Sequence, residues 1–177
     1  NVLNYFVTLD GGSSTWICGP DGTQECRGAD NAEEFGRQKA KIVAALAAIN
    51  ADVYGLMEIE NDSPISGNDA VADLVAGLNL VAGAGTYDYI VTGAIGGDAI
   101  KQAILYKPAA VTPVGTYKIL DSTVDPRFID TANRPVLAQV FMDNATDVEF
   151  VVAVNHLKSK GSACTGDPDL GDGQGNC

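Results

Sequence analysis

The chain is poor in positive charge and has a single histidine. Its 177 residues carry 11 lysines and arginines against 23 aspartates and glutamates, which gives a formal net charge of −12 at pH 7. Nucleic-acid coat proteins depend on clustered Lys and Arg for their affinity. The charge therefore excludes a coat protein of this kind, but it does not exclude an enzyme that handles phosphate groups at one local site.

Long apolar runs are also absent. The longest, such as 42–49, are much shorter than the roughly 20 residues that a transmembrane helix needs. The first residues do not form a charged-then-apolar leader. The hydrophobic fraction of 46% and the charged fraction of 19% exclude a disordered tail, a coiled coil and a collagen-like repeat. We expect one soluble domain without its targeting signal, and no membrane partner.

Four cysteines occur in two local pairs, and neither pair has the Cys-x-x-Cys spacing of a zinc knuckle. Each pair lies in a Gly- and Asp-rich stretch. Disulfides Cys18–Cys26 and Cys164–Cys177 are favoured over the two other pairings, because short loops close more readily. The alternative is four reduced thiols in a cytosolic protein. An even number of cysteines in hydrophilic loops favours secretion.

Both ends of the sequence lie inside predicted structure. Residue 1 is an asparagine in the extended apolar segment 1–7, and residue 177 is a cysteine in a predicted loop. We therefore expect the chain to be part of a longer protein.

Two helices are predicted from capping residues and apolar spacing. Asn31 and Glu34 have the spacing of a capping box at the start of the first helix. Apolar residues then recur at helical spacing up to residue 49, and Asn50 is a typical left-handed stop. The second helix is expected over 69–80.

Strand patterns surround these helices. A strand over 1–7 is followed by a polar loop that extends to about residue 30. The remaining strands are predicted at 52–59, 87–91, 99–106, 111–120, 136–141 and 148–154. This order predicts an α+β domain in which two sheets pack together with helices outside.

His156 is the first candidate for chemistry. It follows the apolar run 150–154 at the point where a strand meets a polar loop. Histidine ordinarily titrates near neutral pH, which suits proton transfer. Together with Lys158 and Lys160 it forms a positive patch that suits an anion. The alternative is a structural histidine held by hydrogen bonds.

Glu58 and Arg134 are two further candidates. Glu58 ends an apolar strand, where a carboxylate is costly unless it is paired, hydrated or bound to a cation such as Mg²⁺ or Ca²⁺. Arg134 precedes the strand 136–141, and its guanidinium suits bidentate binding of phosphate. Considered alone, Glu58 could instead belong to a solvated acidic turn. Arg134 alone could instead form a salt bridge with one of the many carboxylates.

Five ordered motifs resemble the endonuclease/exonuclease/phosphatase superfamily. They are Asn1-Val2-Leu3, Leu56-Met57-Glu58-Ile59-Glu60-Asn61, Ile104-Leu105-Tyr106-Lys107-Pro108, Asn133-Arg134-Pro135 and Asn155-His156-Leu157-Lys158-Ser159. The chain is especially similar to the secreted bacterial nuclease branch, which also has the stretch found here at 27–31 and a Cys-bounded Gly/Asp loop after the His segment. The match spans nearly the whole chain, and five motifs in order are much more specific than any one of them.

The resemblance implies a four-layer α/β/β/α sandwich of the deoxyribonuclease I type. It implies a secreted bacterial nuclease that hydrolyses the phosphodiester bonds of DNA, with RNA as an alternative substrate. The expected cofactor is Mg²⁺, with Ca²⁺ or Mn²⁺ as alternatives, and no obligate protein partner is expected. By resemblance, Glu58 is the metal ligand, Arg134 binds phosphate and His156 is the catalytic histidine. Asn1 is an active-site asparagine that positions phosphate, and Asp98 orients His156.

Two motifs that complete the family's site do not occur in this sequence. They are a Gly-Asp-x-Asn segment and a terminal Asp-His pair. We therefore expect the N-terminal portion of a domain that lacks its last catalytic strands, and little or no activity from these 177 residues alone. Asp167, Asp169 and Asp172 are interpreted as a solvated loop, with a Ca²⁺-binding loop as the alternative. The alternative functions are a phosphoesterase acting on lipid or sugar phosphates and a non-catalytic secreted binding module.

Overall fold

The computed structural model describes residues 1–11, 16–61 and 69–159, which form two helices, two three-stranded sheets and one two-stranded sheet. The elements in chain order are β1 (Trp16–Cys18), β2 (Gln24–Glu25), α1 (Ala32–Ile49), β3 (Val53–Glu60), α2 (Ala70–Ala82), β4 (Asp88–Tyr89), β5 (Ile100–Tyr106), β6 (Val111–Leu120), β7 (Arg134–Asp143) and β8 (Glu149–His156). Strands pair antiparallel in the orders β1-β2, β3-β5-β4 and β6-β7-β8. The predicted α+β class is confirmed.

Helix α1 begins and ends at the predicted residues. The side chain of Asn31 accepts the N–H of Glu34 at 3.0 Å, and the Glu34 carboxylate accepts the N–H of Asp30 at 3.0 Å. At the other end Asn50 has a φ of 51°, and its N–H donates to the carbonyl of Leu46 at 2.9 Å. These are local interactions, which explains why the sequence pattern located both ends.

Both helices pack on one face of the β3-β5-β4 sheet. Asp69 caps α2 by accepting the N–H groups of the first helical turn. Leu46 of α1 and Leu74 of α2 are buried with Leu56 and Leu105 of the sheet in one apolar core. No helix in the described part of the chain is long and apolar enough to cross a membrane.

A second core lies between the two three-stranded sheets. Ile104 of β5 is buried there with Leu137, Phe141 and Val154 of the β6-β7-β8 sheet. Gly55 of β3 permits the close approach, because a Cβ at this position would lie 2.8 Å from a methyl carbon of Val154. Three layers of the expected sandwich are thus present: helices, sheet and sheet. Within the described ranges, no helix covers the outer face of the second sheet.

Residues 1–7 do not form the predicted strand. Leu3 and Asn4 have φ values of 55° and 53°, in the left-handed region, and this interrupts an extended segment. Tyr5 alone forms a parallel bridge with Ile59, and its N–H donates to the carbonyl of Glu58 at 2.9 Å. The N-terminal segment therefore still lies beside β3, where it was expected to help build the site.

The loop predicted up to residue 30 contains the short strands β1 and β2. The predicted disulfide between Cys18 and Cys26 is present and adjoins this pair of strands. Cys164 and Cys177, the other predicted pair, lie outside the described residues.

Candidate functional site

Glu58 lies in a bulge of strand β3. The register between β3 and β5 shifts between Leu56 and Ile59, and Glu58 has a φ of 64°. This conformation costs a residue with a side chain about 1–2 kcal/mol. Bulges re-aim side chains and are common beside functional sites. Here the bulge brings the half-buried Glu58 carboxylate to the other sheet of the sandwich.

His156, the last residue of β8, meets Glu58 at this place. Its Nε2 lies 3.7 Å from Oε1 of Glu58, and the two side chains are 17% and 21% exposed. The distance is longer than a hydrogen bond. Burial lowers the pKa of His156, and the charge of Arg134 acts in the same direction against the opposing charges of Glu58 and Asp98. The imidazole is therefore mostly neutral at pH 7 and able to accept a proton.

Unpaired polar atoms lie in the interior near this contact. The Nδ1 of His156 has no hydrogen-bond partner among the described residues, and neither do the two polar atoms of the Gln102 side chain. Gln102 is fully buried on β5, opposite the bulge that carries Glu58. Buried polar groups are nearly always paired, so an unpaired amide is unusual. It makes the interior beneath the site polar, unlike the apolar cores on either side of the β3-β5-β4 sheet.

Arg134 is joined to Asp98 and, through it, to Arg27. The Nε and Nη2 of Arg134 lie 2.8 and 2.7 Å from Oδ2 of Asp98, and Nη2 of Arg27 lies 2.8 Å from Oδ1. Burial raises the pKa of Asp98, but the hydrogen bond from Arg134 and the charges of both arginines outweigh it, so the pKa is lowered. One carboxylate shared by two guanidinium groups leaves an excess positive charge beside His156, which pairs with Arg134 across β7 and β8.

Asp98 thus has partners that the sequence did not predict. Its carboxylate also accepts the N–H of Ala99 at 2.7 Å, and no hydrogen bond joins it to His156 in the described structure. Asp98 acts on His156 through its charge alone, which opposes the lowering of the His156 pKa. Arg27 was missed as a site residue, since its position depends on a contact with residue 98 that no local pattern indicates.

Asn61 holds the loop that carries Asp98. It is fully buried immediately after β3. Its Nδ2 donates to the carbonyls of Ile95 and Asp98 at 2.9 and 2.8 Å, and its Oδ1 accepts the N–H of Ile95 at 3.0 Å. Strand β3 therefore positions both carboxylates: Glu58 lies within it, and the loop of Asp98 is bonded to Asn61 at its end. In the sequence, Asn61 was the last residue of the motif that contains Glu58, and it was given no role of its own.

Asn1 lies at the margin of the site. Residue 1 lies near His156, because Val2 is bonded through its N–H to the carbonyl of Met57 at 2.9 Å and the adjacent Glu58 contacts the imidazole. The Oδ1 of Asn1 accepts the N–H of Leu3 at 2.7 Å, and the residue is exposed. Asn1 is thus near His156, while its side-chain oxygen serves a local turn.

An open cleft of about 530 Å³ adjoins Arg134. Asp98, Arg134 and the acidic residues Asp121 and Asp130 are among its lining residues. Hydrogen bonds from Thr123 lower the pKa of Asp121, and those from Ser122 lower the pKa of Asp130. The volume suits a ligand of nucleotide size. The lining includes both a guanidinium group and carboxylates.

Glu58 is the described residue best placed to bind a metal ion. In the parts of the chain that the structure describes, no group of three or more His, Cys, Asp or Glu side chains is arranged to hold one. Mg²⁺ is commonly bound by about one or two carboxylates together with water and substrate phosphate, whereas Ca²⁺ takes about six to eight oxygen ligands. A single carboxylate in this place fits the ligand requirement of Mg²⁺ better than that of Ca²⁺. Lys160, Asp167, Asp169 and Asp172 lie outside the described residues.

Two solved structures share this fold. No family model matches the sequence, and no curated protein matches it. The endonuclease/exonuclease/phosphatase from Bacteroides vulgatus has 19% identity and a TM-score of 0.50, over 71% of this chain and 46% of that one. A family protein from Bacteroides thetaiotaomicron has 20% identity and a TM-score of 0.50, over 72% and 44%. The chain spans less than half the length of either protein. It has the fold of the endonuclease/exonuclease/phosphatase family, as its ordered motifs predicted.

Proposed function

We propose that this protein is a metal-dependent phosphoester hydrolase, and more specifically a secreted nuclease that cleaves DNA. The observation that carries the proposal is the 3.7 Å approach of Glu58 to His156, with Arg134 beside them. A carboxylate for a metal ion, a neutral base and an anion-binding guanidinium then lie together. The shared fold supports the same reading.

Each side chain has a defined task in such a reaction. Arg134 attracts and orients the phosphate group through charge and N–H donation. Neutral His156 accepts a proton from the water molecule whose oxygen attacks phosphorus, and the ester bond to the leaving oxygen breaks. A Mg²⁺ ion held by Glu58 would neutralise a phosphate oxygen and stabilise the negative charge that develops.

Secretion is part of the proposal. The disulfide between Cys18 and Cys26 supports it, since disulfides persist mainly in oxidising compartments outside the cytosol. The net charge of −12 is compatible with a phosphate substrate, because the positive groups Arg27 and Arg134 are concentrated at the site.

Metal binding at Glu58 is tested through the histidine. Because the chain has one histidine, its imidazole NMR signals belong to His156 without ambiguity. We expect small amounts of Mn²⁺ to broaden these signals through its unpaired electrons, and Glu58→Gln to abolish the broadening. Glu149→Gln, an equal charge change on an exposed residue at the far end of β8, is the matched control. Equal broadening in Glu58→Gln and unmodified protein would overturn the metal site.

Hydrolysis is tested on bis(4-nitrophenyl) phosphate, plasmid DNA, RNA and glucose 6-phosphate, with Mg²⁺ or with EDTA. We expect slow, Mg²⁺-dependent cleavage of the diesters that is lost in Glu58→Gln and His156→Ala. Cleavage that persists in EDTA or in both variants contradicts the proposed site. Faster release of phosphate from the sugar monoester would favour a sugar phosphatase. Absence of both metal binding and hydrolysis would favour the non-catalytic binding module.

A further inference from the structure

A second depression, of about 320 Å³, lies between the N-terminal segment and helix α1. We call it the α1 groove and define it by its three cationic residues, Arg27, Arg37 and Lys41. The only acidic residue in its lining as described is Glu34, whose carboxylate is bonded to the N–H of Asp30. The α1 groove is thus locally positive. This is unexpected in a chain with 11 basic residues and a net charge of −12.

The cations of the α1 groove are available to a ligand. Arg37 pairs with Glu33 at 2.8 Å, but the two side chains are 59% and 86% exposed. An exposed pair of this spacing contributes only about 0.3–0.5 kcal/mol, so a phosphate can readily replace it. Lys41 is exposed one helical turn further on, and no ion pair of Lys41 occurs among the described residues. Arg27 shares one carboxylate, Asp98, with Arg134.

The α1 groove is joined to the site around Arg134 through Asp98, which pairs with both Arg27 and Arg134. Leu3 lines the groove, and its neighbour Val2 is bonded through its N–H to the carbonyl of Met57, next to Glu58, at 2.9 Å. The side chain of Gln38 fixes this segment to α1 by donating to the carbonyl of Leu3 at 2.8 Å. On the other side, Arg27 is connected through Asp98 to Arg134. A row of positive side chains therefore extends from Arg134 through Arg27 to the two cations on α1.

We propose that the α1 groove binds backbone phosphates of a nucleic-acid strand, next to the phosphate held at Arg134. The inference rests on the proposed function and favours its nuclease form over a hydrolase of single phosphoesters. A sugar phosphate or another single phosphoester has no further phosphate to place in a groove lined by Arg37 and Lys41. A nucleic-acid strand presents a regular row of phosphates that several separate cations bind together.

Binding as a function of salt tests the groove. The probe is a short fluorescein-labelled DNA duplex, and its anisotropy is measured in EDTA with unmodified protein, Arg37→Gln and Lys41→Gln. Each lost phosphate contact is expected to reduce the slope of log affinity against log salt by about 0.9, which weakens binding about eightfold at 0.1 M salt. The matched control is Lys118→Gln, the same charge change on an exposed residue of β6 on the other sheet. It is expected to leave the slope and the hydrolysis of bis(4-nitrophenyl) phosphate unchanged.

The possible results separate the groove from the proposed function. Unchanged slopes in Arg37→Gln and Lys41→Gln, an equal loss in Lys118→Gln, or no binding of DNA by the unmodified protein would each overturn the groove. Hydrolysis of bis(4-nitrophenyl) phosphate by that protein would leave the hydrolase proposal standing in those cases. Conversely, reduced slopes in a protein that hydrolyses nothing and whose His156 signals are not broadened by Mn²⁺ would support the groove and count against the hydrolase.

Discussion

Glu58 and His156 approach to 3.7 Å from different sheets of the sandwich. Glu58 belongs to β3 and His156 ends β8, so their contact spans the interface between the two sheets. The backbone of Glu58 adopts a left-handed conformation at the bulge that brings this about. Strain of this kind persists where surrounding structure enforces it and is concentrated at functional sites. The geometry of the site therefore depends on the packing of both sheets.

The strain at residue 58 is measurable by substitution. Glu58→Gly and Glu58→Ala both remove the carboxylate, but only glycine adopts a φ of 64° without steric cost. We expect Glu58→Gly to be about 0.5–1 kcal/mol more stable than Glu58→Ala in urea unfolding. At Lys118, which has no positive φ, the order should reverse, because glycine weakens a strand. The same order at both positions would show that residue 58 is not strained.

Asp98 should make folding stability depend on pH. Its pKa is lowered in the folded state, so its contribution is complete above its ordinary value of 3.8 and is lost as the pH falls through the lower folded value. Asp98→Asn should cost about 1.5–3 kcal/mol at pH 7, since it removes hydrogen bonds between charged groups. The difference between variant and unmodified protein should shrink below about pH 4. Urea unfolding at pH 7, 5, 4 and 3 measures it, and a difference that stays constant would contradict the role given to Asp98.

Asn61 should control the order of the loop that carries Asp98. Asn61→Ala removes the side-chain hydrogen bonds to Ile95 and Asp98, at a cost of about 1.5–4 kcal/mol. We expect the N–H of Ile95 to lose its protection from hydrogen exchange. Asn79→Ala is the matched control, because Asn79 bonds in the same way to the N–H and carbonyl of Tyr87. It should destabilise the fold without selectively exposing Ile95, and equal exchange at Ile95 in both variants would contradict a specific tie.

Local signals explain which parts of the fold could be predicted from sequence. The caps of α1 at Asn31 and Asn50 involve residues within four positions of each other, and both predictions are confirmed. The strand over 1–7 was wrong because Leu3 adopts its left-handed conformation in contact with α1, to which its carbonyl is bonded through Gln38. The pattern of apolar residues along the sequence does not indicate this contact between the N-terminal segment and α1.

The same distinction applies to the site. Glu58, Arg134 and His156 were singled out because each lies at the end of a strand and belongs to a recognisable motif. Arg27 and Asn61 lie in stretches that the resemblance includes but were given no role, since their partners at residues 95–98 are more than 30 positions away in the sequence. Their roles exist only once the loop before β5 folds back on β3. The catalytic roles assigned from the motifs stay predictions, to be tested by the experiments above.

The buried amide of Gln102 provides a test of the polar interior beneath the site. Its side-chain atoms have no partner in the described structure, so Gln102→Met replaces an unpaired amide by an apolar group of similar size. We expect stability to be unchanged or raised by up to about 1 kcal/mol, because the desolvation cost of the amide disappears. The matched control is the buried Gln139 of β7, whose amide donates to the carbonyls of Val114 and Val140 at 3.1 and 2.8 Å. Gln139→Met should destabilise by about 1–3 kcal/mol, since it leaves acceptors unpaired. If Gln102→Met is as destabilising as Gln139→Met in urea unfolding, the amide of Gln102 has a hydrogen-bond partner in solution, and its interpretation as an unpaired group is wrong.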